Sequence, residues 1–240
     1  MKILKMLGIF LVMSLCATVL RAGDFNLKNG EKLNYSAKFL YIIPVGTAEM
    51  RVRDVANSIG HRVFLITCEA KTAAWLGLLF KAEAVLSSYV DMDKLYPYQF
   101  EQILKVAGKP DDIRRATYDR INNLMSAEGK GTKKVPADVR DPLSAIYYLR
   151  TQELKEGAQI KQVVNNNQSN YIFDSNVTGK KKIGKIDCWV MTAKIRRENK
   201  SMYHSMDTVI YVSADERRIP VLIQAKTKVG PVTLKFKEGN

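Results

Sequence analysis

The sequence predicts an antiparallel, mostly β protein, a strongly curved meander of hairpins broken by a single α-helix. Three observations predict it. Apolar and polar residues alternate with a period of two along most of the chain, turn residues recur at short intervals, and one segment alone switches to helical spacing. A two-sheet sandwich would produce the same pattern, so both architectures stay open at this level.

The first strand places Leu33, Tyr35, Ala37, Phe39, Tyr41 and Ile43 on one face and Lys32, Asn34, Ser36 and Lys38 on the other, as a half-buried strand requires. Pro44-Val45-Gly46 punctuates it. The second strand turns Ala48, Met50 and Val52 inward against Glu49, Arg51 and Arg53. Asn57-Ser58-Ile59-Gly60 reads as the turn into a third, where Phe64, Ile66, Cys68 and Ala70 share a face. Further strands are expected over 82–92, 96–107, 112–120 and 122–128, then over 158–164, 170–178, 184–196, 206–213, 220–228 and 231–237. Gly129-Lys130-Gly131-Thr132-Lys133-Lys134 lacks the spacing and the strand-to-helix setting of a phosphate-binding loop and reads as a hairpin tip. The Asn165-Asn166-Asn167-Gln168 stretch reads as a polar turn.

Asp141-Pro142 is a helix start, since Asp accepts from free backbone amides and Pro is tolerated at the first helical position. Leu143, Ile146, Tyr147, Arg150 and Leu154 then fall at helical spacing, with Gly157 as the stop. One amphipathic helix amid strands is expected to cover a face of the sheet.

Residues 1–22 read as a secretory signal peptide: Lys2 and Lys5 precede an uncharged apolar stretch from Met6 to Leu20. That stretch is roughly 15 residues, whereas a bilayer-spanning helix needs about 20, so no transmembrane span is expected once the signal is removed. Cleavage after Ala22 leaves Gly23 as the new N-terminus and residues 23–240 as a single β-rich domain. Leu15 is too bulky to precede an acylated cysteine, which argues against lipidation of Cys16. The reading places the protein in the cell envelope, in the periplasm.

Losing Lys2, Lys5 and Arg21 lowers the formal charge from +14 to +11. A strongly basic exported domain favours acidic partners such as lipid headgroups or glycans, with nucleic acid ranked last and not expected as a partner. Cys68 and Cys188 either pair in an oxidising compartment or stay as buried thiols.

Several segments resemble one known family. Gly30-Glu31-Lys32-Leu33-Asn34-Tyr35, Val45-Gly46-Thr47-Ala48, Ser88-Tyr89-Val90-Asp91, Asp141-Pro142-Leu143-Ser144-Ala145-Ile146-Tyr147-Tyr148-Leu149-Arg150 and Arg217-Arg218-Ile219-Pro220-Val221 match, in order and spacing, the exported bacterial domain of unknown function number 3108. The resemblance covers roughly residues 29–237. It implies a likeness to periplasmic lipoprotein carriers: an incompletely closed antiparallel barrel, plugged by helix, whose concave side takes acyl chains. This is a likeness of fold, and it brings no functional residues with it.

The candidate sites follow from that architecture. Ala73-Ala74-Trp75-Leu76-Gly77-Leu78-Leu79-Phe80 is apolar where a polar connection is expected. It is either a flap packed on the open end of the sheet or a mouth that receives an acyl chain or touches a membrane. Lys71 and Lys81 flank it and suit an anionic headgroup, as does Arg150. Tyr35, Phe39, Tyr41, Phe64, Tyr147 and Trp189 are either ordinary core or the lining of an interior cavity, together with Trp75, Leu76, Leu78, Leu79 and Phe80. Lysines on the last strands alternate with Ala225, Thr227, Val229 and Phe236 and so face outward, as a solvated face or as a surface for an envelope protein or acidic glycan.

Catalysis finds no motif. His61 and His204 have no metal-ligand spacing, and His204 with Asp207, three apart on a strand, fall on opposite faces. The expectation is therefore a non-catalytic protein without metal or cofactor that binds or carries a lipid-like, amphipathic ligand. The other reading is an interaction module working through its basic outer face.

Overall fold

The structure is a computed structural model describing residues 27–56, 62–78, 80–200 and 205–239. Residues 1–22, the turn at 57–60, Leu79 and both histidines lie outside the described residues, as does the side chain of Leu78. The first eight strands are β1 (Lys32–Phe39), β2 (Ile43–Ala56), β3 (Arg62–Thr72), β4 (Ala82–Val90), β5 (Pro97–Val106), β6 (Asp112–Asp119), β7 (Leu124–Ala127) and β8 (Gly131–Lys134). Helix α1 (Pro142–Thr151) interrupts the run. It is followed by β9 (Gln159–Asn166), β10 (Ser169–Ile183), β11 (Ile186–Arg197), β12 (Met206–Ser213), β13 (Pro220–Thr227) and β14 (Gly230–Gly239).

All fourteen strands form one sheet in the order β8-β7-β6-β5-β4-β3-β2-β1-β14-β13-β12-β11-β10-β9, every neighbour antiparallel. One continuous sheet excludes the two-sheet sandwich. The ends β8 and β9 do not pair as strands, so the barrel is incompletely closed. Side chains span the seam instead. Lys133 donates to the Gln168 carbonyl at 3.0 Å and to Asn170 Oδ1 at 3.2 Å, and Gln168 Nε2 donates back to the Lys130 carbonyl at 3.3 Å. Arg140 adds a parallel bridge to Val164 of β9.

Two apolar clusters lie on either side of α1. Leu143 and Tyr147 join the inward residues of β1 to β7, including Tyr35, Met50, Ile66, Leu86, Phe100 and Met125. Ala145 and Leu149 join those of β9 to β12, among them Ile160, Phe173, Met191 and Ile210. The helix thus divides the interior, as expected for a plug.

Four local expectations are corrected. The first strand does not run to Ile43. It stops at Phe39, and Leu40 and Tyr41 take positive φ of 50° and 66°. Ile42 N donates back to the Phe39 carbonyl at 3.3 Å, which makes 39–42 a type I′ turn built without glycine or asparagine. Tyr41 therefore leaves the inner face. Pro44 lies inside β2, at a register shift opposite Lys38, where its missing N–H is tolerated. Gly129 and Lys130 lie in the β7–β8 turn, as expected, but Gly131–Lys134 is strand β8, a short polar edge paired to β7 through its backbone and through the Ser126 and Thr132 hydroxyls, 2.7 Å apart. Finally, α1 ends at Thr151, before Leu154, because Arg218 donates to the carbonyls of Arg150 and Gln152 at 3.2 and 2.7 Å and caps the last turn from another part of the chain.

Candidate ligand-binding interior and rim

Each end of α1 is held by a buried polar contact. Asp141 accepts from the amides of Leu143 and Ser144 at 2.8 and 3.0 Å, and Ser144 Oγ accepts from the Asp141 amide at 2.9 Å, a reciprocal cap. Ser88 of β4 donates to the other carboxylate oxygen. Burial raises the Asp141 carboxyl to about 6, against these hydrogen bonds, which pull it down. At the far end Arg150 pairs bidentately with Glu31 at 2.7 and 2.6 Å and donates to the Arg217 carbonyl at 2.8 Å. Its guanidinium also lies 4.8 Å from the centre of the Tyr147 ring.

These anchors fix where the plug sits. Glu31 precedes β1, Arg217 follows β12 and Ser88 is near the end of β4. All three lie at the strand ends remote from the Leu40 turn. One mouth of the rolled sheet is stoppered, and the loops that carry apolar residues ring the other.

Between α1 and the sheet is an apolar cavity of about 30 Å³, walled by Tyr35, Met50, Leu86, Leu143, Ile146 and Ile223 among others. Its space suffices for about one water, but it offers apolar walls. On the inner face, nearer the opposite mouth, three consecutive strands set Ala48, Ala70 and Ala84 side by side, flanked by Tyr35 and Leu104 in the same register row. The outer face over the same strands carries an open concavity of about 770 Å³ lined by charges of both signs, including Glu49, Glu69, Glu83, Lys71 and Lys237.

The expected site residues divide into groups. Tyr35, Phe64 and Tyr147 are buried together in the first cluster. Tyr35 meets Phe236 edge-on at 5.8 Å, and its hydroxyl is buried without a hydrogen-bond partner. Phe39 and Tyr41 are at the turn, Phe39 half-buried and Tyr41 exposed. Trp189 stands apart on β11, half-buried, directly opposite Lys180, whose ammonium is 4.3 Å from its ring centre. The 73–80 segment forms a short 3-10 helix at Ala74–Leu78. Within it Leu76 is half-buried and Trp75 is 52% exposed, while Phe80 beyond it is half-buried. Lys71 and Lys81 are exposed beside the segment. Arg150 is a correction: it is 1% exposed, and its guanidinium is committed to Glu31, so it holds the helix and does not face a headgroup.

Leu40 and Ile42 belong to the same rim and were not anticipated, because apolar residues in a turn look like a continuing strand. Val229, expected to alternate inward between outward lysines, instead stands exposed on that rim in the β13–β14 turn. Cys68 and Cys188 are both free and buried, which decides between pairing and thiol. Burial pushes their thiols up to about 12 and about 11. Among the described residues, no three metal-ligating side chains converge and no helix is long and apolar enough to cross a membrane.

No curated protein matches the sequence. Among solved structures, a β-barrel-like protein of the domain of unknown function DUF1849 from Brucella abortus superposes with a TM-score of 0.56 at 8% identity, over 89% of this chain and 98% of its own. At that identity it shows the fold alone. The Mycobacterium tuberculosis lipoprotein LppX aligns over 88% of this chain and 87% of its own at 12% identity, with a TM-score of 0.29. A family model described as Protein of unknown function (DUF3108) matches residues 34–237, nearly the whole of the sheet, and the chain belongs to that family.

Proposed function

We propose that the protein is an exported, non-catalytic envelope protein that binds an amphipathic, lipid-like molecule inside its unclosed sheet. One observation carries the reading: the alanine row of β2, β3 and β4 runs beside an apolar cavity under a helix that stoppers one end. Small side chains on three adjacent strands form a floor on which an acyl chain can lie against methyl groups, and burial of apolar surface drives such binding. The alanines are buried, so an acyl chain reaches them by displacing the side chains that cover them. Leu104, Ile146 and Phe236, partly buried and packed against the cluster that holds the three alanines, supply part of that movable cover. The exported location rests on residues 1–22, and N-terminal sequencing of the protein from an envelope fraction is expected to begin at Gly23.

Native mass spectrometry of protein purified from the envelope tests the ligand. The expected result is a bound species at near one-to-one stoichiometry that organic extraction removes, and that Ala70→Leu excludes by filling the floor. Ligand-free protein that also fails to take up a fluorescent fatty acid would overturn the reading.

A further inference from the structure

We infer that the open rim is a docking surface for an anionic lipid bilayer. This goes beyond the ligand reading, since it stands whether or not the interior takes a lipid. Three loops converge there. Trp75 Nε1 of the β3–β4 connection donates to the Pro44 carbonyl at 2.8 Å, and Ala73 N to the Val45 carbonyl at 2.9 Å. The β1–β2 turn is tied in the same way to the start of β14 by Leu40 N to the Pro231 carbonyl at 2.9 Å. A Cβ on Gly230 would lie 2.9 Å from the Phe39 ring, so that crossing is close and demands glycine, whose φ there is +132°.

The joined loops expose Leu40 at 45%, Tyr41 at 49%, Ile42 at 74%, Trp75 at 52% and Val229 at 37%. These are five of the eight large apolar side chains that stand exposed among the described residues, and they occupy one rim. A contiguous patch of this kind marks an interaction surface. The turn makes the point sharper. Leu40 and Tyr41 both hold left-handed backbone, a conformation that Asn-Gly adopts at less cost, so folding alone would not choose bulky apolar residues there.

Charge selects the partner. Lys71, Lys81, Lys226 and Lys228 are exposed around the patch, and the nearest carboxylates are Glu83, 3.9 Å from Lys81, and Glu69, which lines the outer concavity with Lys71, so lysines outnumber acids at the rim. An apolar tip that includes Trp and Tyr, ringed by lysines, matches an interface whose headgroups are anionic and whose next layer is acyl chain.

The experiment uses Trp189→Phe protein, which leaves Trp75 as the one tryptophan. Vesicles of phosphatidylcholine with about 30 mol% phosphatidylglycerol are expected to bind at least about tenfold more tightly than phosphatidylcholine alone. Binding should shift Trp75 emission to the blue and weaken with salt. Leu40→Asn/Tyr41→Gly/Ile42→Thr is expected to melt no lower than its parent, because it relieves the left-handed turn, and to lose that binding about tenfold or more. Should it fail to fold, Lys81→Glu/Lys228→Glu keeps the patch and is expected to lose the preference for anionic vesicles. Equal binding to both vesicle types, full binding by the turn variant, or self-association through the rim without vesicle binding would each overturn the proposal.

Discussion

At the scale of single residues, two buried charges at the ends of α1 govern how firmly the interior is stoppered. The Asp141 carboxyl sits at about 6 in the fold against an ordinary 3.8. The native protein therefore holds this proton more tightly than the unfolded chain does, and the group's contribution is full below about pH 4 and lost as pH rises through 6. The gap corresponds to about 3 kcal/mol. Asp141→Asn keeps an oxygen for the amides of Leu143 and Ser144 but cannot titrate. Urea midpoints across pH 4 to 7 should fall less steeply in this variant than in the parent, and parallel curves would dismiss the assignment. At the other end, Arg150→Met leaves Glu31 buried beside the helix without its guanidinium, at a cost of about 3–5 kcal/mol. The double change Glu31→Leu/Arg150→Met should cost less than Arg150→Met alone, as read by denaturant unfolding, because no uncompensated charge is left behind. Neither latch was readable in the sequence as a pair: Ser88 with Asp141 and Glu31 with Arg150 are 53 and 119 residues apart.

At the scale of elements, strands whose apolar residues alternate were legible, and those whose ends are set by backbone geometry or distant caps were not. The inward set of β3, with Phe64, Ile66, Cys68 and Ala70, was evident because a half-buried strand writes its burial into every second residue. Strand β8 was hidden because Gly131, Thr132, Lys133 and Lys134 bury no face, and edge strands need only backbone pairing. The β1–β2 turn was hidden because Leu40 and Tyr41 extend the alternation while their backbone leaves it. The length of α1 was overstated because its stop is a side chain from the loop after β12, whereas its start, with Asp141 and Pro142 adjacent, is local and was placed correctly. Gly46 is the element-scale test. A Cβ there would lie 2.4 Å from the Lys71 carbonyl oxygen on β3, which is backbone and cannot turn aside. Gly46→Ala is expected to destabilise by about 1–3 kcal/mol and to speed amide exchange at Ala73, whose N–H closes on Val45 just beyond. Unchanged protection at Ala73 would mean that β2 and β3 can part there without loosening the rim.

At the scale of the whole molecule, the sheet leaves two kinds of opening, and they are closed by different means. The seam between β8 and β9 is closed by Lys133, Gln168 and Arg140, and one mouth by α1, whose two ends reach opposite parts of the roll, β4 on one side and the loop after β12 on the other. Such a helix acts as a strut: it cannot withdraw until at least one end lets go. Because the space beneath it is only about 30 Å³, the proposed acyl ligand would need room made either by covering side chains or by the helix. If by the helix, the rate of entry should depend on the strength of those end contacts even though neither latch touches the open rim. Arg150→Met is then expected to melt at a lower temperature than the parent and yet take up a fluorescent fatty acid faster, by about tenfold if even 1.4 kcal/mol of the lost restraint is expressed in the opening step. Stopped-flow fluorescence with protein in excess measures this directly. If uptake by the destabilised variant is no faster, entry proceeds through the rim loops alone and α1 is a fixed wall.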